Sequence, residues 1–155
     1  LKSTLLIRSL LSLLWNKYFM YPFEIVKPMK EELTSLGFKD LTTAKEVNKN
    51  ISSSQTAVLI VNSVCGCAAA NARPGVIQSL INDKIPLQLL TVFAGVEKEA
   101  TDAARVLMVP FPPSSPCIAL FKNGELVHML ERHHIEGRSS KLISENLKQA
   151  YNEYC

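Results

Sequence analysis

Cys65 and Cys67, separated only by Gly66, are the cysteines in this chain whose spacing can carry chemistry. A thiolate is both a nucleophile and a metal ligand, so such a pair supports thiol–disulfide exchange or metal binding. Cys117 and Cys155 stand far along the sequence. A secreted scaffold spreads its cysteines to close long loops. A tight pair in a chain of 155 residues, long enough to bury its own core, points instead to a reducing, cytoplasmic setting and to redox or metal chemistry.

The segments on either side of the pair decide how it would work. Thr56-Ala-Val-Leu-Ile-Val-Asn62 is a β-branched apolar run, the pattern of a central strand buried on both faces and usually parallel. Ala68 to Leu80 is helix-forming, with a kink expected at Pro74. Cys65 then lies where a strand ends and a helix begins. Free N–H groups and the positive end of the helix dipole favour a thiolate there. Cys65 is therefore the better attacker, and Cys67 can resolve a mixed disulfide formed on it. Gly66 supplies the backbone freedom for so short a loop. In an ideal helix two such side chains would point about 200° apart, which predicts a strained and easily reduced bridge. The rival is a metal-binding module in which Cys117, Cys155 and His133 or His134 complete the ligand set, although no second close ligand pair exists.

Other residues have two readings each. A cis bond before Pro116 would bring the Ser115 backbone beside the cysteine turn, whereas a trans proline would merely start a strand. Cys117 is a near-site thiol or a buried strand cysteine. Cys155 is a third redox thiol or a mobile terminal one. His133 is a proton shuttle or a structural loop histidine. Arg73, roughly two turns into the site helix, contacts the carboxylates of a small thiol or braces the fold.

The remaining chain supplies the frame. Tyr21–Leu36 has helical apolar spacing and a stop at Gly37, and Thr42 or Thr43 can cap a second helix, with Glu46 placed to complete a capping box from Thr43. Leu87–Ala94 reads as a strand and Glu97–Met108 as a helix. Two strands, Cys117–Lys122 and Glu125–Leu130, join at Asn123-Gly124, and a final helix starts at Ser139 or Ser140. This order, α, α, β, α, β, α, ββ, α, fits a mixed α/β sandwich. The net charge of +3, without basic–aromatic clustering, excludes a nucleic-acid footprint. Leu5–Trp15 is apolar but too short for a membrane span, which needs roughly 20 residues, and no small-x-small cleavage site follows it. Residues 1–19 read as an extension upstream of the natural start, with no stable membrane insertion, and residues 20–155 as one domain.

Many separate segments resemble one family in the right order. They include Pro28-Met-Lys-Glu-Glu-Leu33, Val61-Asn-Ser-Val-Cys-Gly-Cys-Ala68, Ala72-Arg-Pro74, Thr91-Val-Phe-Ala-Gly95, Ser114-Ser-Pro116 and Arg132-His133…Ile135-Glu-Gly137. Together they closely resemble the bacilliredoxins over about residues 20–155. The resemblance implies a thioredoxin-like three-layer α/β sandwich with a mixed central sheet and extra N-terminal helices. It implies reduction of mixed disulfides between proteins and bacillithiol, with bacillithiol as co-substrate, S-bacillithiolated proteins as partners and no tightly bound cofactor. Cys65 would take the bacillithiol moiety, Cys67 or a second bacillithiol would resolve it, and Pro116 would be the cis-proline. A general protein disulfide reductase or isomerase is the neighbouring reading. Three departures stand out: the site strand lacks the buried carboxylate of thioredoxins proper, Cys117 replaces a small residue, and His134 extends the Arg-His pair.

Overall fold

The computed structural model describes residues 21–155; the 1–19 segment lies outside the described residues. Strand β2 (Thr56–Asn62) is the centre of the sheet, and all seven of its residues are buried. It pairs in parallel with β3 (Gln88–Phe93) and antiparallel with β4 (Cys117–Lys122). The two-residue β1 (Lys39–Asp40) extends the sheet beyond β3, and β5 (Glu125–Leu130) closes the other side in the order β1-β3-β2-β4-β5. The apolar run thus marks a central strand, but its neighbours make the sheet mixed.

The pleat sends alternate β2 residues to opposite layers. Ala57, Leu59 and Val61 pack with Val47 and Ile51 of α2 (Ala44–Ser52) and Ala100 and Ala104 of α4 (Lys98–Leu107). Val58 and Ile60 pack with Val76 of α3 (Arg73–Ser79) and Ile143 and Leu147 of α6 (Ser140–Tyr154). This is a mixed α/β sandwich, as the element order predicts, in the three layers that the family resemblance implies. The first helix, α1 (Phe23–Thr34), buries Leu33 against the α3–α6 layer and ends before Gly37 at φ +94°.

Local signals place most ends. Thr43 and Glu46 exchange both capping-box bonds at the start of α2. Asn123 and Gly124 take positive φ, as a tight hairpin with right-handed twist demands. The kink predicted at Pro74 takes the form of a π-helical segment, Ala68–Ala72, which passes into α3 with Pro74 in its first turn. Proline lacks the N–H that would continue the ladder, and the chain widens just before it. Two elements escape the sequence reading: β1 and the one-turn α5 (Arg132–Ile135). Both are too short for a periodic pattern. Among the described residues, no helix is long and apolar enough to cross a membrane.

Candidate active site

β2 ends at Asn62, and the chain turns through Ser63 and Val64 before Cys65. The Cys65 carbonyl accepts from the N–H groups of Ala68 and Ala69, so this residue caps the helix from outside. That location corrects the ideal-helix estimate. Cys65 precedes the helix while Cys67 is helical (φ −70°, ψ −24°), and their sulfurs lie 2.7 Å apart instead of on opposite faces. Both thiols are free and half-buried.

Their environments differ in sign. Burial alone would push the Cys65 thiol up, but hydrogen bonds from the Cys67 thiol, the Ser63 hydroxyl (3.2 Å) and the Ala68 N–H, with the Arg132 charge, hold it below the usual cysteine value. Burial, then the neighbouring Cys65, pushes Cys67 up. The surroundings thus favour the thiolate at Cys65 more than at Cys67.

The supporting loops converge on the same turn. Ser115–Pro116 is cis, and the Ser115 carbonyl accepts from Arg132 Nη1 at 3.1 Å. Ser63, Cys65, Ser115 and Arg132 line one cleft of about 280 Å³. A larger open hollow of about 650 Å³, between Lys39–Leu41 and α2, is lined by no cysteine.

Arg73 does not reach this cleft. It is 1% exposed and lies beneath the turn. Its Nη1 donates to Asn62 Oδ1 (3.0 Å) and the Ser63 carbonyl (3.1 Å), and its Nε pairs with Glu32 on α1 at 2.7 Å. Asn62 Oδ1 also accepts from the Ser63 N–H, and its Nδ2 donates to the Met29 carbonyl. Arg73 thus braces the turn against α1, and its burial keeps it out of the cleft.

The remaining candidates separate from the pair. Cys117 is a buried strand thiol against Met108 Sδ (3.9 Å), and burial raises its pKa to about 12. Cys155 approaches Thr56, at the opposite end of β2; six residue steps place it about 20 Å from the cysteine turn. His133 is exposed, with its ring 3.9 Å from that of His134. Among the described residues, the metal-ligating cluster of three is Glu131, His133 and His134, which includes neither site cysteine. The ligand set imagined around Cys65 and Cys67 does not assemble. Instead Arg132 and Ser63 face Cys65. Nothing in their spacing reveals this, although Arg132 heads the Arg-His segment of the family resemblance.

Comparison with known proteins places the family and the fold. Residues 21–155 match the model of the disulphide isomerase family. A bacilliredoxin of Cytophaga hutchinsonii is 54% identical over 134 residues, covering 86% of this chain and 99% of the relative. A bacilliredoxin of Halalkalibacterium halodurans is 50% identical over 139 residues, covering 89% and 96%. Among solved structures, oxidised thioredoxin from Plasmodium falciparum superposes with a TM-score of 0.52 at 20% identity, covering 76% of this chain and 98% of that one. Mitochondrial thioredoxin 3 from Saccharomyces cerevisiae gives 0.51 at 18% identity, covering 79% and 98%. The fold is that of thioredoxin, and the chain belongs to the bacilliredoxin family of thiol–disulfide oxidoreductases.

Proposed function

We propose that this protein removes bacillithiol from S-bacillithiolated proteins through Cys65 and Cys67. One observation carries the reading: Cys65 Sγ receives hydrogen bonds that favour its thiolate and lies 2.7 Å from Cys67 Sγ, whose surroundings favour the thiol. The kinship with bacilliredoxins supports bacillithiol as the small thiol.

In the first step the Cys65 thiolate attacks the bacillithiol sulfur of the mixed disulfide. A Cys65–bacillithiol disulfide forms, and the client protein leaves as a thiolate that takes a proton from water. Cys67 then loses its proton and attacks Cys65 Sγ, forming the Cys65–Cys67 disulfide and releasing bacillithiol. A second bacillithiol attacking the adduct instead would release oxidised bacillithiol and regenerate Cys65. The dithiol supplies both electrons of the first route, so no bound cofactor enters it. A thiol reductant must restore the dithiol for another cycle. This chemistry suits the reducing cytoplasm, where we place the protein.

General disulfide reduction or isomerisation is the second reading, favoured by the family description. Comparing rates on a bacillithiolated protein and on an intramolecular disulfide separates the two. Faster turnover of the bacillithiolated protein, abolished by Cys65→Ala, is the expected result. Equal or faster turnover of the intramolecular disulfide contradicts the assignment.

A further inference from the structure

The cleft beside Cys65 is cationic. Arg132 lines it from α5 and Arg105 from α4, with the Ser115 carbonyl between the cysteine turn and Arg132. Arg132 already has partners: Nη1 donates to Ser115, and Nε lies 3.5 Å from Glu136 Oε2. Arg105 differs. Its Nε–H is buried and has no hydrogen-bond partner among the described residues. A buried guanidinium donor left unpaired is unfavourable, and folded proteins keep few of them. This Nε–H is closed off from solvent, so what the cleft presents beside the nucleophile is the charge of two guanidinium groups, which suits an anionic group on the substrate.

Size identifies which half of the substrate brings that acceptor. A mixed disulfide joins a folded protein to a small thiol. A cleft of about 280 Å³ admits the small half and leaves the protein half outside. We propose that this cleft seats the small-thiol half of the mixed disulfide, and that Arg105 and Arg132 together receive a carboxylate borne by that thiol. The inference rests on Cys65 being the attacking residue, as proposed above. The guanidinium fork matches a carboxylate, and two arginines on different elements fix the small thiol's position relative to Cys65. Seated there, the thiol offers its own sulfur to Cys65, so the new bond joins Cys65 to the small thiol and the protein sulfur departs. The arginines also offset the repulsion between a carboxylate and the Cys65 thiolate.

The test uses the full chain, pre-reduced, in single turnover, so that its own dithiol supplies the two electrons. A reporter peptide with one cysteine is prepared as mixed disulfides with mercaptosuccinate, 2-mercaptoethanol and cysteamine. These carry carboxylates, a neutral group and a cation close to the sulfur. At low ionic strength the mercaptosuccinate adduct is expected to react roughly tenfold faster than the mercaptoethanol adduct, as one charge-assisted contact provides. Cysteamine is expected to be slowest. Arg105→Gln should bring the carboxylate-to-neutral ratio towards one, and Arg105→Lys should restore only part of it. The ratio cancels any change in Cys65 nucleophilicity, and the wild-type comparison holds even where a variant fails to fold. Equal wild-type rates on the mercaptosuccinate and mercaptoethanol adducts overturn the inference while leaving Cys65 chemistry intact. So does a ratio unchanged in Arg105→Gln, or acceleration by acidic residues in the peptide instead of the small thiol. Failure to reduce all three adducts overturns the proposed function as well.

Discussion

Ser63 donates its hydroxyl to Cys65 Sγ at 3.2 Å, and this bond helps hold the thiol below its usual pKa against burial. The sign of the pH dependence follows. Alkylation of Cys65 should rise at lower pH than that of an ordinary cysteine, whose pKa is near 8.5. Cys67, shifted upward by burial and by Cys65, should react only at higher pH. Ser63→Ala removes a donor, moves the Cys65 curve to higher pH and slows its alkylation at pH 6 roughly fivefold, for a hydrogen bond of about 1 kcal/mol. Site-resolved iodoacetamide kinetics read this directly, and an unmoved curve would remove Ser63 from the account. The sequence makes Cys65 and Cys67 visible because both lie in one short loop. It hides Ser63 and Arg132 because their roles depend on which atoms the turn and α5 bring together. Arg73 stays open between two readings for the same reason: the sequence allows a substrate-facing cation or a brace, and the packing under the turn buries it.

At the scale of elements, Arg73 ties α3 to β2 and α1 through Asn62, Ser63 and Glu32. The site strand contains no carboxylate, and the nearest carboxyl in this network, Glu32, reaches the turn only through that guanidinium. Arg73→Met should cost about 3 kcal/mol in urea unfolding, because the Ser63 carbonyl loses its buried donor. Arg73→Lys should recover only part, since an ammonium cannot fork between Asn62 and Glu32. A loss below about 1 kcal/mol would contradict the bracing role. Helices α3 and α6 touch at Gly75, where an added Cβ would meet Ile143 Cγ2 at 2.6 Å and Ile143 Cβ at 2.8 Å. Gly75→Ala should therefore destabilise by about 1–3 kcal/mol through overpacking, measured the same way. The long elements were readable from period, caps and the Asn-Gly turn. The π-helical stretch, β1 and α5 were not, because each is decided by neighbours instead of by its own residues.

Across the whole molecule, the sheet keeps the four cysteines in distinct environments. Cys65 and Cys67 share the turn after β2, Cys117 is buried at the start of β4, and Cys155 approaches Thr56 at the far end of β2. Cys155→Ser and Cys117→Ala should each leave single-turnover reduction within about twofold of wild type, because neither thiol touches the reacting pair. A large loss in either would mean that a third thiol takes part. The central claim concerns which sulfur first accepts the small thiol. Its most direct test is intact-mass and peptide-mapping mass spectrometry of Cys67→Ala after mixing with a bacillithiolated protein, without added thiol. A one-bacillithiol adduct persisting on Cys65 is the predicted result. An adduct on another cysteine, or none while the client is still reduced, would contradict the account.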